Sequence, residues 1–454
     1  MPIATVNPAT GVTEREFTPY DDGEVDRRLQ VAADTARSWR TISFEERGRL
    51  LRGAAELLEG ELPAIARVLT TEMGKTFAAA KGEVAKCAFA MRHFADHAAD
   101  LLADEPVATK ATDSRVVYQP IGPVLAVMPW NFPMWQVMRF AAPAVMAGNV
   151  GLLKHSSNVP QTALLIEDLF RRAGFPDGVF QTLLVGSDKV AGVIEDDRVR
   201  AVTLTGSDAA GQSVAEAAGR VLKKTVLELG GSDPFVVLPS ADLERAVEVG
   251  VQARVQNNGQ SCIAAKRFVV HGDVYDAFAE RFVAAMEALV VGDPLAAATD
   301  VGPLALESGR SGVHEQVADA VERGAALLCG GEPVEGPGWY YPPTVLAGIG
   351  PDMRVACEEV FGPVATLWRA ADADEALAIA NDTGFGLGAS VWTTDASERA
   401  HFVRGLEAGM VFVNAMVAST AELPFGGVKR SGYGRELSAH GIREFCNVKT
   451  VWVD

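Results

Sequence analysis

Two patterns of apolar and polar residues divide the chain into a helical first part and a longer part of alternating strands and helices. Between positions 22 and 104, apolar residues recur every three and four positions, as in Val25–Ala36 and Leu50–Leu58, with charged residues between them. This spacing is typical of amphipathic helices that bury one face. The stretch Met73-Gly-Lys-Thr76 lacks the leading glycine of a phosphate-binding loop, because Leu69 occupies that position, so we interpret it as a helix segment.

From position 124 onwards, short apolar runs alternate with helical segments, an order that favours a parallel, doubly wound sheet. The first predicted strands are Val124–Met128, Val150–Leu153, Gln181–Val185, Arg200–Leu204 and Thr225–Leu229. The predicted helices between them are 133–147, 160–172, 189–195 and 208–220. After Gly230 and Gly231 the alternation restarts, with strands predicted at 235–238, 267–270, 325–328, 365–368, 390–392 and 409–413. We therefore predict an α/β protein with two doubly wound domains.

Two β-like segments lie outside this alternation. Arg115–Tyr118 is a short run before Pro120, and the tail from Asn447 to Asp454 is an apolar strand with no obvious partner in its own domain. An unpaired apolar strand is an aggregation hazard unless another subunit covers it. The tail therefore predicts a subunit contact.

Composition limits the classes of function. The chain has 454 residues, enough for two or three domains, and a net charge of −18, which argues against nucleic acid or anionic membrane as a partner. Its five scattered cysteines indicate reduced thiols, and the N-terminus lacks the features of a signal peptide, so we expect a cytoplasmic protein. The seven histidines form no metal-binding motif, so we expect no metal.

One thiol has neighbours that suit catalysis. Cys262 ends the stretch Gln256-Asn-Asn-Gly-Gln-Ser-Cys, and a helix-like apolar run, Ile263–Ala265, follows it. Small neighbours leave room for a substrate, and backbone N–H groups at a loop or helix start stabilise a thiolate, the nucleophilic form. Most free cysteines, however, are buried small hydrophobes, so this one needs support from other residues.

Two further polar residues lie in apolar surroundings. Glu228 lies in Thr-Val-Leu-Glu-Leu-Gly-Gly, which ends at Gly231, and Asn131 lies in Pro-Trp-Asn-Phe-Pro, which ends at Pro133. Burial would raise the pKa of Glu228 and make it a better base. Each residue also has a structural alternative: Glu228 as a buried ion-pair partner, and Asn131 as the N-cap of the next helix.

The motifs PWNFP, LELGG, GQSC and EEVFGP, in this order, resemble the aldehyde dehydrogenase superfamily, and the resemblance runs from about Asn7 to the C-terminus. It implies an NAD(P)-dependent oxidation in which Cys262 is the nucleophile, Asn131 stabilises the oxyanion and Glu228 activates water. It implies a cofactor-binding domain (1–108 and 124–228), a catalytic domain (229–430) and an oligomerisation arm with the C-terminal strand (109–123 and 431–454). By the same resemblance, the arm makes a homodimer or homotetramer.

The same resemblance identifies the residues at the cofactor. They are Trp130, Lys154, Ser157, Gly206, Ser207, Leu229, Glu359 and Phe361. Many NAD-dependent relatives carry Glu three residues after the lysine, where it binds the ribose hydroxyls and repels a 2′-phosphate. Ser157 occupies that position, so we predict NADP as the preferred cofactor and NAD as a weaker one. The alternative is that Ser157 only caps the following helix.

The substrate end has its own candidates. Asn131, Trp135 and Arg139 recur every four residues, so they share a helical face, and Arg139 could hold an anionic tail bidentately. We expect Ser419 to be a second donor to that tail. These residues resemble bacterial succinate-semialdehyde dehydrogenases, which implies succinate semialdehyde as substrate. The alternatives are an Arg139 paired with a structural acid, another small aldehyde as substrate, a cysteine hydrolase or acyltransferase, and a non-catalytic protein with this fold.

Overall fold

The computed structural model describes residues 2–454, and two large sheets organise them. The helices are α1 (Asp22–Trp39), α2 (Phe44–Gly60), α3 (Leu62–Met73), α4 (Phe77–Leu101), α5 (Trp135–Ala147), α6 (Pro160–Arg172), α7 (Val190–Glu195), α8 (Asp208–Arg220), α9 (Leu243–Val255), α10 (Gly272–Glu287), α11 (Glu307–Glu322), α12 (Arg354–Cys357), α13 (Ala373–Asn381), α14 (Ala396–Gly405) and α15 (Ser438–Glu444). The strands are β1 (Ile3–Asn7), β2 (Val12–Phe17), β3 (Glu105–Pro106), β4 (Asp113–Pro120), β5 (Pro123–Met128), β6 (Val150–His155), β7 (Phe180–Thr182), β8 (Ala201–Thr205), β9 (Lys224–Glu228), β10 (Asp233–Val237), β11 (Ala265–His271), β12 (Ala326–Cys329), β13 (Thr344–Ala347), β14 (Val364–Ala370), β15 (Gly388–Trp392), β16 (Met410–Val413), β17 (Gly432–Tyr433) and β18 (Cys446–Val453).

The first sheet has six strands in the order β17-β9-β8-β5-β6-β7. Its strands run parallel, except that β17 pairs antiparallel with β9. Strands β5 and β6 are almost fully buried, as expected for a parallel sheet with helices on both faces. One apolar core joins this sheet to α1–α4 and α5, which confirms that residues 22–104 form helices packed on it.

The second sheet has seven strands in the order β12-β13-β14-β11-β10-β15-β16. All of its pairings are parallel except the one between β12 and β13 at one edge. The prediction of two doubly wound α/β units is therefore confirmed. The predicted helix at 73–76 is wrong: α3 ends at Met73, Gly74 adopts a left-handed φ of 83°, and α4 begins at Phe77.

A third, antiparallel sheet of order β18-β4-β3 forms an arm. The tail strand β18 pairs with β4 of its own chain along its whole length, from Cys446 opposite Pro120 to Val453 opposite Asp113. The sequence showed no obvious partner for the tail in its own domain, and the structure gives it one within the arm sheet; its contact with another subunit stays a prediction. Its side chains Val448 and Trp452 are nevertheless about half exposed.

Sheet membership bears on the predicted domain bounds. The short strand β3 belongs to the arm sheet, although the prediction assigned 105–106 to the first domain. Strand β17 belongs to the first sheet, although the prediction assigned 432–433 to the arm. The other bounds stay a prediction. In the part of the chain that the structure describes, no helix combines the length and apolarity needed to cross a bilayer.

Candidate active site

A cleft of about 290 Å³ opens where the parallel strands β5, β8 and β9 end, and we call it the strand-end cleft. Ligands of doubly wound sheets bind at this edge. The cleft is lined by Pro129, Trp130, Asn131, Gln136, Thr205, Gly206, Ser207, Leu229, Gly230, Cys262, Glu359 and Phe361. The structure thus brings together residues from four separate motifs, as predicted. Six of the predicted site residues are not among the lining residues: Glu228, Trp135, Arg139, Lys154, Ser157 and Ser419.

The loop before Cys262 has an unusual backbone. Asn257, Asn258 and Gly259 have φ values of 55°, 58° and 77°, three consecutive residues in the left-handed region. A Cβ at Gly259 would lie 2.4 Å from the backbone of Gly362, so only glycine fits there. The side chains of Asn257 and Asn258 donate to backbone carbonyls, including that of Asn131 at 2.7 Å. The loop is therefore held in one conformation by the residues around it.

The thiol of Cys262 lies in a turn, and the predicted helix after it is absent, because β11 begins at Ala265. Burial raises the pKa of the thiol to about 12, although Arg139 and Lys266 lower it. The neutral thiol is therefore the resting form in this arrangement, and attack requires removal of its proton.

Hydrogen bonds hold both the side-chain amide and the backbone carbonyl of Asn131 in place. Its Nδ2 donates to the Gln260 carbonyl at 3.1 Å, and its own carbonyl accepts from Lys75 Nζ at 3.0 Å. It does not cap α5, whose N-cap is Met134 without a side-chain bond. Because Nδ2 carries two hydrogens and one is used by Gln260, one remains for a ligand.

A buried glutamate takes the capping role instead. Glu83 of α4 accepts hydrogen bonds from the backbone N–H groups of Met134 and Trp135, both at 2.9 Å. Its other oxygen pairs with the buried Lys75. This pair explains why α5 begins at Trp135 rather than at Pro133. The sequence analysis did not identify either residue; the only signal was that both charges lie in apolar surroundings.

Glu228 ends β9 and is 1% exposed. Neither of its carboxylate oxygens has a hydrogen-bond partner within residues 2–454, so the ion-pair alternative is not what the structure shows. Burial, and then the negative charge of Glu436, raise its pKa well above the ordinary value, while Arg139 lowers it. A buried, unbonded carboxyl with a raised pKa is typical of a functional group.

Arg139 is paired with a structural acid, which is the alternative that the sequence analysis considered. Its guanidinium pairs with Glu436, donates to Thr205 Oγ1 at 3.2 Å and lies over the ring of Phe425. Both partners of the ion pair are almost completely buried. A direct contact between Arg139 and a substrate therefore stays a prediction. Glu436 is a residue that the sequence analysis missed.

The predicted cofactor residues of the strand-end cleft are positioned by short contacts. Ser207 caps α8 by accepting from Ala210 N at 3.3 Å, so the N-terminus of this helix faces the cleft. Glu359 accepts from Gly231 N at 3.1 Å, and a Cβ at Gly230 would lie 2.6 Å from its carboxylate. The rings of Phe361 and Trp130 meet edge to face at 5.7 Å.

Lys154 and Ser157 lie near each other in the chain, at the end of β6 and in the turn after it. Burial lowers the pKa of Lys154, and Asp188 opposes this shift. Ser157 does not cap α6, whose N-cap is Val159 without a side-chain bond. The first N–H groups of α6 instead donate to the buried carboxylate of Glu72. The Ser157 hydroxyl makes no hydrogen bond within the described residues.

Trp135 and Ser419 meet at a third residue, Lys86, and we call these three the Lys86 cluster. Ser419 Oγ accepts from Trp135 Nε1 at 2.9 Å and from Lys86 Nζ at 2.8 Å. The lysine nitrogen also lies 4.2 Å from the centre of the Trp135 ring. The sequence analysis missed Lys86 because 333 positions of the chain separate it from Ser419. Its place three residues after buried Glu83, on the same helical face, was the available signal.

The alternative of a cysteine hydrolase or acyltransferase finds no support in the cleft. No histidine is among its lining residues, whereas a cysteine hydrolase or acyltransferase would need one beside the thiol. His271 Nδ1 accepts from Asp273 N at the start of α10. Within residues 2–454 no group of three or more His, Cys, Asp or Glu is arranged to hold a metal ion.

Known proteins resemble the chain along its whole length. The model of the aldehyde dehydrogenase family matches residues 1–451. A succinate-semialdehyde dehydrogenase [NADP(+)] of Mycolicibacterium paratuberculosis is 60% identical and covers 100% of this chain and 97% of its own. Succinate-semialdehyde dehydrogenase [NADP(+)] 1 of Mycobacterium tuberculosis is 59% identical and covers 100% of both chains.

Solved structures show the same fold. The succinic semialdehyde dehydrogenase of Streptococcus pyogenes, in complex with NADP+, is 37% identical, with a TM-score of 0.97 over 99% of both chains. The succinate-semialdehyde dehydrogenase of Burkholderia pseudomallei is 37% identical, with a TM-score of 0.96 over 100% of this chain and 94% of that one. From the matched family model and the fold, the chain belongs to the aldehyde dehydrogenase family.

Proposed function

We propose that this enzyme oxidises succinate semialdehyde to succinate, with NADP as its preferred cofactor and NAD as a weaker one. The observation that carries this proposal is the strand-end cleft, which places Cys262 and Asn131 beside residues suited to a dinucleotide. The names of relatives near 60% identity supply the substrate and the cofactor.

The first step is addition of the Cys262 sulfur to the aldehyde carbon, which gives a thiohemiacetal. The thiol releases its proton to solvent in this step, since the thiolate is the nucleophile, and this is the proton that appears in the overall balance. The free hydrogen of Asn131 Nδ2 and the backbone N–H of Cys262 stabilise the negative charge that develops on the aldehyde oxygen. Removing one such donor typically costs about 3 kcal/mol of transition-state stabilisation.

Oxidation of the thiohemiacetal to a thioester needs a hydride acceptor, and this is the chemistry that the nicotinamide supplies when it is bound. Glu228 then takes a proton from water, which attacks the thioester and releases the acid and the Cys262 thiol. The overall balance is aldehyde, oxidised cofactor and water giving acid, reduced cofactor and a proton. Because the pKa of Glu228 is raised, deacylation needs the fraction of Glu228 that is ionised.

Several groups fit a dinucleotide. The N-terminus of α8 and the backbone at Gly206 suit a phosphate, and Glu359 lines the cleft near Phe361, where a ribose could bind. Lys154 forms no ion pair in the part of the chain that the structure describes, and the Ser157 hydroxyl is free. A cation and a free hydroxyl at neighbouring positions support binding of a 2′-phosphate.

The test is the absorbance of the reduced cofactor with succinate semialdehyde and either NADP or NAD. We expect reduction with both cofactors and a higher kcat/KM with NADP. Butanal, which has the same chain length without the carboxylate, serves as the matched substrate and should be oxidised less efficiently. No reduction with any aldehyde would contradict the oxidation, and a higher efficiency with NAD would contradict the cofactor preference.

We also propose a cytoplasmic homodimer or homotetramer whose subunits meet through the arm. The five free thiols support a reducing compartment. The half-exposed apolar side chains Val448 and Trp452 of β18 support a covered surface there. Deleting 447–454 should release monomers in size-exclusion chromatography with light scattering, and Val448→Lys should weaken the assembly. An unchanged mass for both variants would contradict the assignment.

A further inference from the structure

We propose that Lys86 is the cation that binds the distal carboxylate of the substrate, together with the hydroxyl of Ser419. This inference rests on the proposed function, because it assumes an aldehyde that carries a carboxylate at its other end. The Lys86 cluster supplies the argument, and neither the family resemblance nor the names of the relatives assign a role to this lysine.

Three cations lie close to the N-terminal half of α5, and two of them have a buried carboxylate as partner. Lys75 pairs with Glu83, and Arg139 pairs with Glu436. Lys86 is the exception: within residues 2–454 its ammonium has no carboxylate at ion-pair distance, and its hydrogen-bond partner is the neutral Ser419. A largely desolvated cation without a counter-ion is costly, and an anionic ligand relieves that cost.

The hydrogen bonds of Ser419 leave its proton available. A hydroxyl has two acceptor lone pairs and one hydrogen. The indole N–H of Trp135 and the ammonium of Lys86 occupy the acceptor sites of Ser419 Oγ. The hydroxyl hydrogen is therefore free to donate to a ligand. The ammonium likewise keeps N–H donors beyond the one directed at Ser419, so two donors are available to one carboxylate.

The cluster also lies where the far end of a short aldehyde belongs. Arg139 lies close enough to both Cys262 and Lys86 to lower the pKa of each, and Trp135 is four residues after Asn131, the proposed oxyanion donor. The Lys86 ammonium nitrogen lies 4.2 Å from the centre of the Trp135 ring, and this cation–π contact fixes the position of the ammonium. An aldehyde bound at Cys262 can therefore extend along Trp135 towards Lys86.

The charged groups around Lys86 agree with this role. Those that face it are Arg139 of α5 and Glu83 and Cys87 of its own helix. Burial, and then Arg139, lower the pKa of Lys86 to about 8. The ammonium thus predominates at neutral pH, and its charge is lost above pH 8 in the free enzyme. A bound carboxylate would hold the proton more tightly.

The experiment compares kcat/KM for succinate semialdehyde and for butanal in four forms of the full-length enzyme with NADP. These are the wild type, Lys86→Met, Lys86→Arg and Lys81→Met. Lys81 is the matched control, an exposed lysine on the same helix. The ratio of the two efficiencies is the readout, because it cancels effects on folding, on the cofactor and on the chemical steps.

We expect Lys86→Met to lower the ratio by about a hundredfold while butanal oxidation changes little. Lys86→Arg should retain most of the preference, and Lys81→Met all of it. In the wild type the ratio should fall as pH rises through about 8, and Lys86→Arg should remove this fall. A preference kept by Lys86→Met would overturn the inference, as would equal losses on both substrates. If Lys86→Met does not fold, the Lys86→Arg pH profile decides, and an unchanged fall would overturn it.

Failure of the proposed function would have a different signature. A wild type that oxidises butanal as efficiently as succinate semialdehyde would contradict the proposed substrate, and Lys86 would then bind no carboxylate. A wild-type preference that survives the loss of the Lys86 charge contradicts only the inference about Lys86.

Discussion

The strand-end cleft and the Lys86 cluster are built from different kinds of group. The cleft presents backbone N–H groups, small residues and aromatic rings, and its carboxylate Glu359 is bonded to Gly231. The Lys86 cluster presents a charge without a counter-ion beside two neutral donors. Backbone groups suit a cofactor that many enzymes share, whereas a side-chain charge suits discrimination between one aldehyde and another.

This difference implies that the two regions can be altered separately. Changes in the cleft or near Lys154 should affect the cofactor and leave substrate preference intact. Changes at Lys86 should do the reverse. Cys262 and Glu228 take part in the reaction of every substrate with either cofactor. Their loss should therefore lower activity equally for all of them.

The largest effect is expected for Cys262→Ala. Loss of the nucleophile should lower kcat/KM by about 10⁴-fold or more with either cofactor and either aldehyde. Binding of NADP, measured by fluorescence titration or calorimetry, should stay near that of the wild type. The control is Cys357→Ser, an exposed thiol outside the cleft, which should keep full activity. Residual turnover of a few per cent in Cys262→Ala would refute the assignment.

Glu228→Gln should lower steady-state kcat by about 10²- to 10³-fold, because it removes the base of deacylation alone. Stopped-flow absorbance should still show one equivalent of reduced cofactor formed rapidly, followed by a slow phase. The burst is an internal control for folding and cofactor binding. Rapid, complete turnover would remove Glu228 from this role.

Ser157→Glu tests whether the cofactor preference can be changed without changing the substrate preference. A carboxylate beside Lys154 repels a 2′-phosphate, so kcat/KM for NADP should fall by at least about tenfold, or 1.4 kcal/mol, and that for NAD should be kept or improved. The preference for succinate semialdehyde over butanal should not change. Ser213→Glu, on the exposed face of α8, adds the same charge elsewhere and should have no effect. An unchanged cofactor ratio in Ser157→Glu would be evidence against a phosphate at this position.

The smallest effect is expected for Glu436→Gln and concerns pH. The negative charge of Glu436 raises the pKa of Glu228, and Arg139 lowers it. Removing the Glu436 charge should therefore lower the pKa of Glu228, so that the ionised base is present at lower pH. In a plot of the deacylation rate against pH, the rising limb should shift to lower pH by about one unit. The cofactor preference should be unaffected. A limb that stays in place, or moves up, would contradict the coupling.

Sequence patterns predicted most of the fold and the strand-end cleft. The ends of β5, β8 and β9 carry Asn131, Gly206 and Glu228, so strand-to-helix order alone brings them near one another. Local turn geometry was less predictable. The segment after Cys262 continues as β11 rather than a helix, and α5 begins two residues late because Glu83 of α4 accepts its first N–H groups.

The charged partners could not be predicted, since each depends on contacts between distant parts of the chain. Arg139 has an obvious helical position, but its partner Glu436 comes from the C-terminal segment. Lys86 meets Ser419 across 333 positions. The tail strand β18 meets β4 in the same chain, and no local pattern in either strand indicates that pairing.

The most direct test of the account is mass spectrometry of Glu228→Gln after a brief reaction with succinate semialdehyde and NADP. The account predicts a succinyl group in thioester linkage on the peptide that carries Cys262, formed in step with one equivalent of reduced cofactor and removed by hydroxylamine. The absence of an acyl group, or its location on Cys87, Cys329, Cys357 or Cys446, would contradict it.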